Sequence, residues 1–211
     1  MNTRICLIRH GETDWNVARR IQGHTDIPLN ATGREQARAL AASLADERFA
    51  AIYSSDLARA RQTAEVVAHR LGKHLDLEPG LRERHFGDFQ GRTYAESAEQ
   101  FPEAYARIER REPNAAFPGG GESLDAFFYR VSRALTMIAK RHPDSDVLVV
   151  CHGGVLDMAH RLASKLPLSM KRDFPIGNAT VNWLLYEEGD WQILAWDERT
   201  HLDRPLDELP G

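Results

Sequence analysis

The chain has 211 residues, with 27 basic against 31 acidic side chains and a formal net charge of -4. This length can bury a sizeable core, and a pI near 6.1 leaves no broad basic footprint for nucleic acid, so electropositive character has to be confined to a local pocket. No stretch approaches ~18 consecutive apolar residues and no apolar leader-like region precedes the first strand, which argues against a membrane partner and sets the expectation of a soluble, cytoplasmic protein.

No Gly/Ser-rich or charge-run linker interrupts the chain, so one domain is expected over residues 1–211, with a core over about 3–197 and a C-terminal tail over about 198–211. Cys6 and Cys151 fall in apolar runs without metal-like or redox-like spacing, and read as reduced core thiols. Ile5-Cys6-Leu7-Ile8 predicts a buried strand, and it ends in Arg9-His10-Gly11-Glu12-Thr13. A histidine at the mouth of a strand, beside a guanidinium and a glycine, suits attack on a phosphoryl group, with His10 a loop residue facing solvent. The tripeptide alone equally suits a structural histidine.

Further along, Thr32-Gly33-Arg34-Glu35 has the spacing of a capping box ahead of an apolar helical stripe from Ala37 to Leu44. Ala51-Ile52-Tyr53 predicts a short strand, and Asp56 reads as the N-cap of a helix whose stripe runs from Leu57 to Leu71 before Gly72. Arg59 falls in the first turn of that helix, where its planar fork can join Arg9 on phosphate oxygens, while Arg61 points elsewhere. A weak strand around Leu75–Leu77 and the Pro79-Gly80 turn lead to Leu81-Arg82-Glu83-Arg84-His85-Phe86-Gly87-Asp88-Phe89. Glu83, walled off by Phe86 and Phe89, would be held protonated as a donor to a leaving alkoxide, with nearby arginines pulling the other way. Local sequence fits a salt-bridged surface glutamate as well.

A polar helical region from about Tyr94 to Arg111 follows, in which Arg107, Arg110 and Arg111 at i, i+3, i+4 read as a solvated face. Pro118-Gly119-Gly120-Gly121 is a tight or mobile loop, and Ser123 opens a helix with Leu124, Phe127, Phe128, Val131, Leu135 and Ile138 on its core face. Val147-Leu148-Val149-Val150 is a continuous apolar strand that ends in His152-Gly153-Gly154 and a new helix, the same strand, histidine, glycine turn as at His10. In each, backbone N–H groups at the turn offer a cradle for an anion. Val181–Tyr186 and Gln192–Trp196 predict a closing hairpin. The fold expected is a three-layer α/β/α sandwich with a mostly parallel central sheet and an antiparallel edge, with His10 and His152 brought together beyond the carboxyl ends of their strands.

Taken in order, Arg-His-Gly-Glu-Thr, Ser-Asp-Leu-x-Arg-Ala-x-Gln-Thr-Ala, Leu-Arg-Glu-x-x-Phe-Gly and Cys-His-Gly-Gly resemble the histidine phosphatase superfamily, also called the phosphoglycerate mutase-like family, from residue 4 to about residue 185. The resemblance implies that His10, neutral and attacking through Nε2 with its other nitrogen held by backbone, forms a phosphohistidine. It implies that Arg9, Arg59 and His152 bind the phosphoryl oxygens, that Glu83 acts as general acid and then base, and that Asn16 supports the phosphate. Gln22-Gly23 resembles the substrate-loop segment of the family, and Asn178 lies in a Gly-Asn-Ala-Thr stretch of the kind found after the second histidine. Arg84, His85 and Gly153 complete the expected substrate-binding set.

The activity so implied is a metal-independent phosphomonoesterase acting on a small phosphorylated metabolite. No metal is expected, because His10-x-Glu12 and His24-x-Asp26 lack converging further ligands, and no cofactor is expected either. The alternative is a 2,3-bisphosphoglycerate-dependent phosphoglycerate mutase, for which Arg84, Arg110 and Arg111 would be the candidates to grip a substrate carboxylate. A non-catalytic phospho-ligand binding module on the same fold is the remaining class. A homo-oligomer is left open.

Overall fold

The computed structural model describes residues 2–202, so the expected C-terminal tail lies largely outside the described residues. Strands β1 (Asn2–Arg9), β2 (Ala51–Ser54), β3 (Leu75–Leu77), β4 (Asp146–Cys151), β5 (Val181–Glu187) and β6 (Asp190–Glu198) form one six-stranded sheet in the order β3-β2-β4-β1-β5-β6. β1, β2, β3 and β4 run parallel, whereas β5 and β6 are antiparallel and form the edge hairpin. The helices are α1 (Asp14–Val17), α2 (Ala31–Ser43), α3 (Ala58–Leu71), α4 (Tyr94–Gln100), α5 (Pro102–Glu109), α6 (Leu124–Arg141) and α7 (Gly153–Ser164).

Strand alternation builds the three layers. Ile5, Leu7, Val147 and Val149 face α6 and α7, while Cys6, Ile8, Leu148 and Val150 face α2 and α3. Each such side chain, fully buried, contributes about 1.5–3 kcal/mol of transfer free energy. The register pairs Arg9 with Cys151 and Ser54 with Val150, so β1, β4 and β2 end at one edge of the sheet. His10, His152 and Ser55 therefore emerge side by side. Cys6 and Cys151 are free and buried, and burial pushes both thiols well above their ordinary value. Among the described residues no helix is long and apolar enough to cross a membrane.

Local details correct several expectations. The Thr32 pattern is not the cap of α2: Asn30 is, its Oδ1 accepting from the Gly33 N–H at 2.8 Å. Asn30 wins because Glu12 also holds it, through Asn30 N–H to Glu12 O at 3.1 Å and Asn30 Nδ2 to Glu12 Oε1 at 2.9 Å. Asp56 does not cap α3 either. Its carboxylate takes the Arg82 fork, at 2.7 Å from Nε, and the Ala58 N–H goes instead to Asp26 Oδ1 at 2.6 Å. Both caps are thus decided by partners distant in sequence.

The polar region from Tyr94 breaks at Phe101-Pro102, where a proline disfavours helical backbone in the residue before it, giving α4 and α5 in place of one helix. α5 stops at Glu109, and Arg111 has left-handed backbone with φ +52°. Arg111 thus leaves the helical face to which its spacing assigned it. The Pro118 to Gly121 loop is tight, with Pro118 O accepting from Asp88 N–H at 2.8 Å and Gly121 N–H donating to Phe117 O at 3.1 Å.

Candidate active site

His10 sits just past β1, only 3% exposed, which corrects the expectation of a solvent-facing residue. Its backbone N–H donates to Cys151 O at 2.9 Å and its carbonyl accepts from Asn178 Nδ2 at 2.9 Å. Asn178 therefore fixes the backbone of His10. His10 Nδ1 lies 2.7 Å from Gly11 O, and because a carbonyl can only accept, Nδ1 carries the proton and Nε2 presents its lone pair. Burial, then the Arg59 and Arg9 charges, hold the imidazole well below its ordinary value, so it is neutral at physiological pH.

Gly11 is required by the close approach of another backbone segment. A Cβ there would collide with Gly33 O, where α2 begins. The Gly11 N–H is already used, donating to Thr63 Oγ1 at 3.0 Å, and the Gly154 N–H donates to Glu83 Oε2 at 3.0 Å. Neither of those two amides is available as the expected anion cradle.

Charge comes from side chains instead. Arg59, 1% exposed in the first turn of α3, is aimed by its Nη1 to Thr25 O at 3.0 Å and its Nη2 to Gly23 O at 2.7 Å. Burial pushes it down to about 10, with Glu83 and Asp26 opposing and Arg9 adding to the fall, so it remains charged at neutral pH. Arg9, equally buried, donates from Nη1 to Ile176 O at 2.7 Å. His152 has no exposed surface, and its ring centroid lies 5.3 Å from that of His10.

Arg9, His10, Asn16, Gln22, Gly23, Arg59 and Glu83 line one small chamber of about 40 Å³, together with Phe86 and Tyr94. It adjoins a second chamber of about 220 Å³, and Glu83, Phe86 and Tyr94 belong to both. Glu83 thus stands at the junction between a space floored by His10 and a larger space for the rest of a ligand. Its Oε1 accepts from Arg84 N–H at 2.7 Å, and the Gly154 bond holds the other oxygen. Burial raises its pKa, opposed by those two N–H groups and by Arg59 and Arg9. Phe86 walls it, as expected. Phe89 does not: its ring stacks at 5.5 Å from Phe101 and meets Phe117 edge-on at 4.9 Å, in a separate cluster under α4 and α5.

The remaining candidates divide. Arg84 and Gly153 line the larger chamber, but the Arg84 guanidinium is engaged, donating from Nη2 to Glu122 O at 2.9 Å and lying 4.4 Å from the Phe117 ring centre. His85 is not among the residues lining either chamber. Its ring packs against His24 at 4.9 Å, and its backbone N–H donates to Glu122 Oε2 at 2.8 Å. Arg107 and Arg110 are solvated, as expected, and both pair with Glu112. Arg111 instead reaches Asp157 Oδ2 at 3.0 Å and Leu168 O at 2.9 Å, and lines the larger chamber.

His24 and Glu12 have partners of their own, His24 Nε2 on Glu83 O at 2.8 Å and Glu12 Oε1 on Asn30. Sequence reasoning missed Tyr94, Thr63, Ser55 and Arg130. Arg130 on α6 brackets the acid segment, donating to Arg82 O at 2.8 Å, Glu83 O at 3.1 Å and the Glu122 carboxylate at 2.7 Å. The available signal was a cation three residues after Phe127 and next to Val131, inside an apolar stripe.

Comparison with known proteins gives concordant matches. Residues 5–199 match the histidine phosphatase superfamily (branch 1). A phosphoglycerate mutase-like protein of Arabidopsis thaliana is 41% identical over 202 residues, covering 94% of this chain and 86% of that protein. A metal-independent phosphoserine phosphatase of the same plant is 42% identical over 202 residues, covering 95% of this chain and 83% of that protein. Among solved structures, phosphoserine phosphatase from Entamoeba histolytica in complex with 3-phosphoglyceric acid superposes with a TM-score of 0.85 at 29% identity, covering 95% of this chain and 99% of that one.

Proposed function

The chain belongs to branch 1 of the histidine phosphatase superfamily, and from that premise we propose that it hydrolyses small phosphomonoesters by two phosphoryl transfers through His10, without a metal. The observation that supports this reading is that the buried Glu83 lines both the chamber floored by His10 and the larger chamber beside it.

In the first transfer the Nε2 lone pair of His10 attacks phosphorus. The bond from phosphorus to the ester oxygen breaks, and the departing alkoxide takes the proton of Glu83. Nδ1–H, held on Gly11 O, steadies the positive charge that the ring gains. Arg9 and Arg59 offset charge on the equatorial oxygens, which is what a phosphoryl transfer asks of a protein that need do little covalent chemistry. In the second transfer the Glu83 carboxylate takes a proton from water as the water oxygen attacks phosphorus. The P–N bond breaks, inorganic phosphate leaves, and both residues return to their starting states.

Phosphoserine and 3-phosphoglycerate, named with the relatives, are the first substrates to assay. The test is phosphate release from a panel of phosphomonoesters with and without EDTA, beside interconversion of 2- and 3-phosphoglycerate after priming with 2,3-bisphosphoglycerate. Phosphate release that persists in chelator and outruns interconversion is expected. Interconversion faster than release would make the chain a mutase, and loss in EDTA restored by divalent ions would overturn the metal-free chemistry.

A further inference from the structure

Ser55 follows β2, has no exposed surface, and is absent from the chemistry above. Its hydroxyl lies 2.8 Å from His152 Nε2 and accepts from the Leu57 N–H at 3.3 Å, at the start of α3. The other ring nitrogen of His152, Nδ1, is buried without a partner among the described residues. We infer that Ser55 is a positioning residue that sets the tautomer of His152, donating its hydroxyl proton to Nε2 so that Nδ1 carries the ring proton and offers it to a phosphoryl oxygen.

A neutral imidazole has one N–H and one lone pair, and a hydroxyl has one proton to give. With the Leu57 N–H already pointing at Ser55 Oγ, two arrangements remain. If Nε2–H donated to Ser55, the serine proton would be left buried without the His152 acceptor, and the unpartnered Nδ1 would hold a lone pair in place of an N–H. If Ser55 donates to Nε2, the serine uses both its proton and a lone pair, and Nδ1–H becomes a neutral donor. The second leaves no buried O–H unpaired and gives the unpartnered Nδ1 a proton to donate in place of a lone pair that would repel an anion, so it is favoured on both counts.

Two surroundings support it. Burial, followed by the Arg59 charge, keeps the ring neutral, so its donor capacity depends on the tautomer rather than on protonation. His152 lines neither chamber but adjoins His10, which carries the same Nδ1–H tautomer turned the other way, its N–H used on Gly11 O and its Nε2 lone pair left free. One histidine is thereby a nucleophile and the other a donor, although both are neutral imidazoles after a strand and before a glycine.

The role of Nδ1–H rests on the phosphatase reading, while the tautomer itself does not, and the experiment separates them. Long-range proton–nitrogen correlation spectra of the full chain with ¹⁵N-labelled histidine, with His152 assigned by its loss in His152→Gln, should show the proton on Nδ1. Ser55→Ala should shift the ring toward a mixture of tautomers and weaken orthovanadate binding by about tenfold. Ser55→Thr, which keeps the hydroxyl, should restore both. A proton on Nε2 in the parent would overturn the inference, as would Ser55→Ala with unchanged tautomer and unchanged vanadate affinity. An inactive enzyme with Nδ1–H would defeat the phosphatase reading and leave the tautomer assignment standing.

Discussion

The floor of the site and its cover are built differently. The floor, formed by the ends of β1 and β4 and the first turn of α3, carries Arg9, His10, Arg59 and His152 with almost no exposed surface, over strands packed on both faces. The cover, α4 and α5 with the loops around them, is two short helices that break at Phe101, and α5 has no buried residue of its own. It is held by an aromatic cluster around Phe89 and Phe117 and by the reach of Arg111 to α7. Chemistry that demands fixed geometry sits on the first kind of structure, and contacts to the rest of a ligand are left to the second.

The comparison predicts that substitutions in the floor remove rate, whereas those in the cover change stability and substrate preference. His10→Gln should lower turnover by at least about a thousandfold, since it removes the Nε2 lone pair on which both transfers depend. Circular dichroism and thermal unfolding would check that the fold survives. Turnover near that of the parent would place the chemistry elsewhere.

Glu83→Gln should cost roughly a hundredfold or more on an alkyl phosphate and far less on p-nitrophenyl phosphate, whose leaving group needs little protonation. pH profiles give a second reading of the same residue. Glu83 is raised, so its proton is lost as pH climbs through that raised value, and kcat/KM for alkyl phosphates should fall along this limb. His10 is depressed, so it stays unprotonated and nucleophilic as pH falls past its ordinary 6.5, and activity should hold there. The Gln variant should lose the falling limb. Equal losses on both substrates, with that limb intact, would make Glu83 structural.

Gly154→Ala tests the seat of the acid without touching it. The added methyl overlaps Glu83 Oε1, so the carboxyl must move, and alkyl phosphate turnover should drop by about 10–100-fold with aryl phosphate turnover much less affected. In the cover, Arg111→Ala breaks a largely buried pair with Asp157 and should cost about 1–3 kcal/mol in denaturant unfolding, together with a raised KM. Arg110→Ala, which loses only a solvent-exposed pair with Glu112, should leave stability and kinetics unchanged. Matching effects of the two arginine variants would erase the distinction drawn between them.

Legibility in the sequence follows the same division. Apolar runs gave β1 and β4, helical stripes gave α3 and α6, and the two strand, histidine, glycine turns placed His10 and His152 at one sheet edge, where the structure has them. What local patterns missed depends on distant partners. Thr32 and Asn30 are both competent caps, and Glu12 decides between them. Asp56 is a sound N-cap by position, yet Arg82 takes its carboxylate and Asp26 serves α3 from another loop. The i, i+3, i+4 reading of Arg107, Arg110 and Arg111 assumes a helix that continues, and the left-handed turn at Arg111 ends it. Phe86 and Phe89 are three apart in sequence, but the helical turn at Gly87–Phe89 sends the second ring into the aromatic cluster of the cover.

The central claim is a covalent phosphohistidine at His10, and trapping tests it most directly. Parent enzyme and His10→Gln are mixed with ³²P-labelled phosphomonoester, quenched rapidly without acid, and divided between acid and base before phosphoprotein is counted and its site mapped. Label that is stable to base, lost in acid, mapped to His10 and absent from the variant is the predicted result. A parent enzyme that releases phosphate without ever carrying label at His10, or a variant that labels as the parent does, would contradict it.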